Sequence, residues 1–387
     1  MRTCAALLIT AGLVAGPAAA PAFAQPPPGA CLTPVKTGNV LSGQPWEDKL
    51  LDLDRVWPIT KGAGVRVGVV DSGVDNDNPQ LRDKVFPGWD FVRDQAGATF
   101  DCAPHGTAVA SIIVGAPMAG TGFAGMAPDA RIVPARITDT DQIQGGPQIV
   151  ANAIRYTVDS GVSVLNLSLT VFQDDPGIKA AIQYAQAHDV LVVAAAGNEA
   201  QQGNPEPYPA AYPGVLGVGS IDINGALSPD SETGAFVKLV APGVKVTGCD
   251  PEQGQELWDG TSFATAFVAG TAALVRSAWP GLTAAQVADR LIRTADVARG
   301  GTGSDQYGAG IVDPYRAVTD TTVDGAAGPG VARTPIPVPG PDPDAIRAQA
   351  AALAASHASS TALVLLGLTV AGLGVAGVVV AGRRRHS

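Results

Sequence analysis

Five short apolar runs, each of four to six residues, recur between Val65 and Gly219: Val65–Val70, Ile132–Ala135, Val162–Leu167, Val190–Ala195 and Val215–Gly219. Continuous runs of this length suit strands buried on both faces of a parallel sheet, because neither face is left to water. Segments of helical spacing lie between or after them, at Thr107 to Val114, Gln148 to Asp159, Pro176 to His188 and Ser262 to Ser277. Strand and helix in alternation predict an α/β layered domain built on a mostly parallel sheet. In such sheets, sites form beyond the carboxyl ends of the strands. Asp71 follows its strand directly and stands where that rule places chemistry.

The predicted domain begins near Pro45 with a short amphipathic helix carrying Leu50, Leu51, Leu53, Val56 and Trp57. Near its end, Thr283-Ala284-Ala285-Gln286 matches the Ser/Thr-x-x-Glu/Gln capping pattern and predicts a further helix. The domain closes around Gly308 to Asp313, so residues 45–318 form the folded unit. Residues 319–360 follow as a Pro/Gly-rich linker and juxtamembrane segment, expected to be extended.

Both ends of the chain carry targeting signals. Residues 1–24 read as a signal peptide: Arg2 is the positive end, Ala5 to Val14 the apolar run, and Ala22-Phe23-Ala24 the small-residue cleavage site. Residues 361–382 form an uncharged stretch of 22 residues followed by Arg383-Arg384-Arg385. A stretch of that length spans a bilayer, and the basic tail at 383–387 is expected to stay cytoplasmic. The expected topology is a single-pass type I protein of the cell membrane, with its folded domain extracytoplasmic. The net charge of −10 argues against a nucleic-acid partner, which would call for a basic stripe.

Once the signal is removed, Cys31, Cys102 and Cys249 remain, an odd number that permits at most one intramolecular bridge. The leader at residues 25–44 has no apolar periodicity to hold it. A Cys31–Cys102 bridge would pin it three residues from His105, leaving Cys249 unpaired. No Cys/His spacing suggests zinc, and neither a metal nor a cofactor is implied.

Three strings carry the chemistry: Asp71-Ser72-Gly73, His105-Gly106-Thr107 and Gly260-Thr261-Ser262. A carboxylate, an imidazole and a hydroxyl are the parts that make a weak alcohol nucleophilic. His105 would act as general base toward Ser262, with Asp71 holding the imidazole tautomer. Alone, Ser262 would read as a helix N-cap and Asn198 as a turn residue. In company with the other motifs, Ser262 is the nucleophile at a helix N-terminus. Asn198, just after the run Val190–Ala195, is the candidate oxyanion donor.

The blocks Asp71-Ser72-Gly73-Val74, His105-Gly106-Thr107-Ala108-Val109-Ala110, Ala196-Gly197-Asn198 and Gly260-Thr261-Ser262-Phe263-Ala264 resemble the signatures of the subtilisin-like serine peptidases. Their order, Asp then His then Ser, is that of subtilisin and differs from chymotrypsin and the α/β-hydrolases. The resemblance covers residues 45–318 and implies a three-layer fold and peptide-bond hydrolysis through an acyl-enzyme. It also implies that Ser168, Leu169 and Thr170 bind substrate. There Thr170 replaces the family's usual glycine, and Ala266 replaces its usual proline after the serine. The full layout of signal, Cys-bearing leader, peptidase, spacer, span and basic tail is similar to the mycosins. That narrower resemblance implies protein or peptide substrates and association with a type VII secretion membrane complex. An alternative reading from another class is a structural stabiliser of that complex with dispensable proteolysis.

Overall fold

The computed structural model describes residues 31, 38–140, 142–299 and 301–321 of the chain. The expected signal peptide, most of the leader, the linker beyond 321, the span at 361–382 and the tail lie outside these residues. Within the described residues, no helix is long and apolar enough to cross a membrane.

An eight-stranded sheet runs in the order β3-β2-β4-β1-β5-β6-β7-β8. Its strands are β1 (Arg66–Asp71), β2 (Trp89–Asp90), β3 (Gln95–Ala96), β4 (Arg131–Arg136), β5 (Val164–Leu167), β6 (Leu191–Ala195), β7 (Leu216–Ile221) and β8 (Val237–Pro242). Only the β2–β3 pair is antiparallel. The five predicted runs correspond to β1, β4, β5, β6 and β7.

Successive residues of these strands enter different cores. Val67 and Val69 join one apolar cluster and Val70 the other; Leu191 and Val193 oppose Val192 and Ala194 in the same way. This is the period of two read with both faces dry, and it explains why the runs are continuous rather than alternating. One layer holds α3 (His105–Val114), α6 (Thr261–Ala278), α7 (Ala284–Thr294) and α8 (Pro314–Thr319). The other holds α4 (Pro147–Asp159) and α5 (Pro176–Ala187). The result is the expected three-layer α/β fold.

Local chemistry sets the helix ends. The Asp175 carboxylate accepts from the N–H groups of Gly177 and Ile178, and Pro176 opens α5 where its missing N–H costs nothing. The predicted capping box is present at Thr283 and Gln286. The single N-terminal helix expected from residue 45 is instead two, α1 (Trp46–Leu51) and α2 (Leu53–Val56), because Asp52 between them is left-handed at φ 52°. A small antiparallel ribbon of β9 (Val246–Cys249) and β10 (Gln255–Trp258) was not anticipated. Cys249, expected in a turn, ends β9 as a buried free thiol, and burial pushes its pKa up to about 12.

Candidate active site

Three candidate residues follow the carboxyl ends of neighbouring strands: Asp71 closes β1, Ser168 follows β5 and Asn198 follows β6. Ser262 is the second residue of α6, whose residues are buried from Thr261 to Arg276. The nucleophile candidate is therefore mounted on the most deeply packed helix of the domain.

Asp71 is 6 % exposed. Its Oδ1 accepts from the Ser72 N–H at 2.7 Å and lies 2.8 Å from His105 Nδ1. A carboxylate facing Nδ1 makes that nitrogen the protonated one and leaves Nε2 as the basic atom. The His105 ring rests on Phe263, with centroids 5.3 Å apart, which sets the imidazole beside the first turn of α6.

Ser262 and Ser168 hold each other. Ser262 Oγ donates to the Ser168 carbonyl at 3.3 Å, and Ser168 Oγ donates to the Ser262 carbonyl at 2.8 Å. The buried Asn166 amide donates to Ser168 Oγ at 2.9 Å. Leu169 and Thr170, the other two substrate-binding candidates, are half-buried on the chain leaving Ser168.

Asn198 is exposed, and its orientation is set by α6. Its Oδ1 accepts from the N–H and Oγ1 of Thr261 at 2.9 and 3.1 Å, so Nδ2 is the end turned away. Gly197 N–H donates to Thr261 Oγ1 at 3.2 Å, tying the same turn a second time. The Asn198 amide and the Ser262 hydroxyl thus share one mount, the start of α6.

Asp101 carries a role the sequence reading missed. It is 2 % exposed, accepts from the N–H and Oγ1 of Thr107 at 2.8 and 2.7 Å and from Ala103 N–H at 3.0 Å, and so anchors the first turn of α3. Burial raises its pKa, while the Thr107 hydroxyl bond opposes the rise. Ser72 Oγ donates to the Ala103 carbonyl and accepts from Gly106 N–H, locking the Asp71 and His105 segments together. An acidic residue just before a helix start was the available signal for Asp101.

Cys31 is bridged to Cys102, which attaches the leader beside this anchor. Arg136, buried at the end of β4, bonds both oxygens of Asp90 at 3.1 Å and reaches Cys102 Sγ at 3.6 Å. Among the described residues, no cluster of His, Cys, Asp and Glu could hold a metal ion.

Comparison with known proteins bears on what this mount is for. The family described as the subtilase family (Peptidase_S8) matches residues 62–310. Mycosin-1 of Mycolicibacterium smegmatis is 35 % identical over 351 residues, covering 76 % of this chain and 77 % of its own. Thermitase of Thermoactinomyces vulgaris is 36 % identical over 278 residues, covering 72 % and 96 %. The solved structure of MycP1 from the ESX-1 type VII secretion system superposes with a TM-score of 0.66 at 30 % identity, covering 80 % of this chain and all of that one.

Proposed function

We propose, from the premise that this chain belongs to the subtilase family and is a mycosin-like serine endopeptidase, that Asp71, His105 and Ser262 form its catalytic triad. The observation that carries the assignment is the 2.8 Å contact of Asp71 Oδ1 with His105 Nδ1, beside the helix start that bears Ser262. His105 Nε2 takes the Ser262 proton as Oγ attacks the scissile carbonyl, and returns it to the leaving amine. Asp71 keeps the tautomer and stabilises the imidazolium. The Asn198 amide donates to the oxygen that becomes anionic, and water then releases the acyl group from Ser262. Ser168, Leu169 and Thr170 line up the substrate backbone.

The substrates are proteins or peptides that pass through a type VII secretion system, and the enzyme associates with that system's membrane complex. Likeness to a MycP1 from such a system supports this reading. Residues 361–382 anchor the enzyme, with residues 45–318 outside, 319–360 as spacer and 383–387 inside. The leader at 25–44 stays attached, because the Cys31–Cys102 bridge ties it to the catalytic domain.

A fluorophosphonate tests the chemistry directly: stoichiometric labelling with the adduct on Ser262 is expected, and an adduct elsewhere overturns the nucleophile. Terminal proteomics of cell envelopes carrying wild type or Ser262→Ala would then identify the substrates. Restored secretion by Ser262→Ala in a deletion strain would instead favour the structural role.

A further inference from the structure

Beneath the Asn198 turn lies a carboxyl group that the triad does not use. Glu232 is fully buried in the loop between β7 and β8. Its N–H donates to the Gly197 carbonyl at 3.1 Å, and its Oε1 accepts from the Glu199 N–H at 3.1 Å. One residue thus grips the backbone on both sides of Asn198. Its neighbours extend the grip: Gln201 Nε2 donates to Asp230 Oδ1 at 2.7 Å, and Asn204 exchanges two bonds of 2.8 Å with the Thr233 backbone.

The fit leaves no slack. A Cβ on Gly197 would lie 2.5 Å from the Glu232 carboxyl carbon and both its oxygens, and Gly197 sits at φ 100°, where L side chains are strained. The carboxyl is therefore packed flat against the turn that carries the oxyanion donor. On the other side of the turn stands Thr261, already bonded to Asn198 and Gly197.

We propose that Glu232 is a positioning residue of the oxyanion site: it clasps the Gly197–Glu199 backbone against α6 and so sets where the Asn198 amide points. The proposal rests on the reading of Asn198 as oxyanion donor. A buried carboxyl in this place also makes the site responsive to pH. Burial, opposed by the Glu199 N–H bond and reinforced by the Glu199 charge, pushes the Glu232 pKa up to about 7. Its Oε2 is buried without a hydrogen-bond partner. Glu199 faces it across the clasp, while Asp230, two residues earlier, turns to Gln201. Once ionised, Glu232 sets an uncompensated negative charge under the point where the oxyanion forms, and the transition state is disfavoured.

Two variants read this out, each checked by its thermal transition. Glu232→Gln keeps an acceptor for the Glu199 N–H and cannot ionise. The ratio of its kcat to that of wild type cancels the titration of His105. From about pH 5.5 to 9 the ratio is expected to rise by about tenfold through neutrality, which corresponds to ~1.4 kcal/mol of added repulsion in the transition state. Glu232→Leu removes the acceptor and leaves the Glu199 N–H unpaired; it is expected to lower kcat about tenfold or more with KM nearly unchanged. In an Asn198→Ala background, the loss from Glu232→Leu should shrink, because the group being positioned is gone. A flat ratio for Glu232→Gln, or an undiminished loss for Glu232→Leu in the Asn198→Ala background, overturns the proposal. Failure of the underlying reading looks different: Asn198→Ala alone would then keep wild-type kcat.

Discussion

Two groups of buried carboxylates, one beside the active site and one on α1, differ in what surrounds them. Beside the active site, Asp71 and Asp101 are 6 % and 2 % exposed; Asp71 Oδ1 takes the Ser72 N–H and faces His105 Nδ1, and two N–H groups and a hydroxyl converge on Asp101. On α1, Glu47 and Asp48 are 0 % and 5 % exposed, yet donors are scarce. Glu47 Oε1 accepts from the Thr247 N–H at 2.6 Å, while Glu47 Oε2 and Asp48 Oδ1 have no hydrogen-bond partner. Burial pushes the Glu47 pKa up to about 7, and burial, with the Glu47 and Asp54 charges adding to it, lifts that of Asp48 well above the carboxylate range. Equal burial thus meets unequal surroundings, and the donors a buried carboxyl finds set how much its burial costs. On the proposed triad, the first group supports turnover; the second is expected to make stability depend on pH.

The largest effect sharpens the catalytic half of that contrast. Ser262→Ala and His105→Ala are each expected to cut kcat by ~10⁴–10⁶ while leaving the thermal transition near wild type, and the double variant should be scarcely worse than either. Additive losses would break the reading of these residues as one unit. Next comes Asn198→Ala, expected to lower kcat by ~10²–10³, the range known for the equivalent donor in subtilisin.

The α1 pair predicts a change in stability without one in turnover. Folded Glu47 holds its proton up to about pH 7, against 4.5 for the ordinary side chain. The folded chain therefore binds more protons than the unfolded chain across that window, and stability falls as pH rises from about 4.5 to 7. The shift corresponds to about 3 kcal/mol at ~1.4 kcal/mol per pK unit. Urea titrations at several pH values should show this slope in wild type, a shallower one in Glu47→Gln, and a shallower one still in Glu47→Gln/Asp48→Asn, the remainder coming from other raised carboxyls such as Glu232. An unchanged slope in both variants would break the comparison.

The smallest effect lies at Asp101. Asp101→Asn replaces one acceptor oxygen with a donor and leaves an N–H at the start of α3 unpaired. The expected cost is ~1–2 kcal/mol, a fall in the thermal midpoint of ~2–8 °C for a domain of this size, with a modest drop in kcat as His105 loses its mount. A drop in kcat with no change in midpoint would place Asp101 in the chemistry rather than beneath it.

The sequence alone determined the layered fold and named the candidate site residues. Runs such as Val190–Ala195 are dry on both faces, and that dryness is written residue by residue. The triad candidates were legible because Asp71, His105 and Ser262 each sit in a short string whose chemistry is local. The helix starts at Pro176 and Thr283 were legible for the same reason. Other features depended on contacts between residues far apart in the chain, and only the tertiary structure decided them. The burial of Glu47 against Thr247 has no periodic signal, since its partner lies 200 residues away. Glu232 is the clearest case. In Ser228-Pro229-Asp230-Ser231-Glu232-Thr233-Gly234 it reads as one more polar loop residue. Its character comes from Gly197 and Glu199, more than 30 residues away, whose backbone it grips with both its amide and its carboxyl. Local strings can specify which groups are present, but burial and donor count belong to the folded neighbourhood, and those set what a carboxyl does.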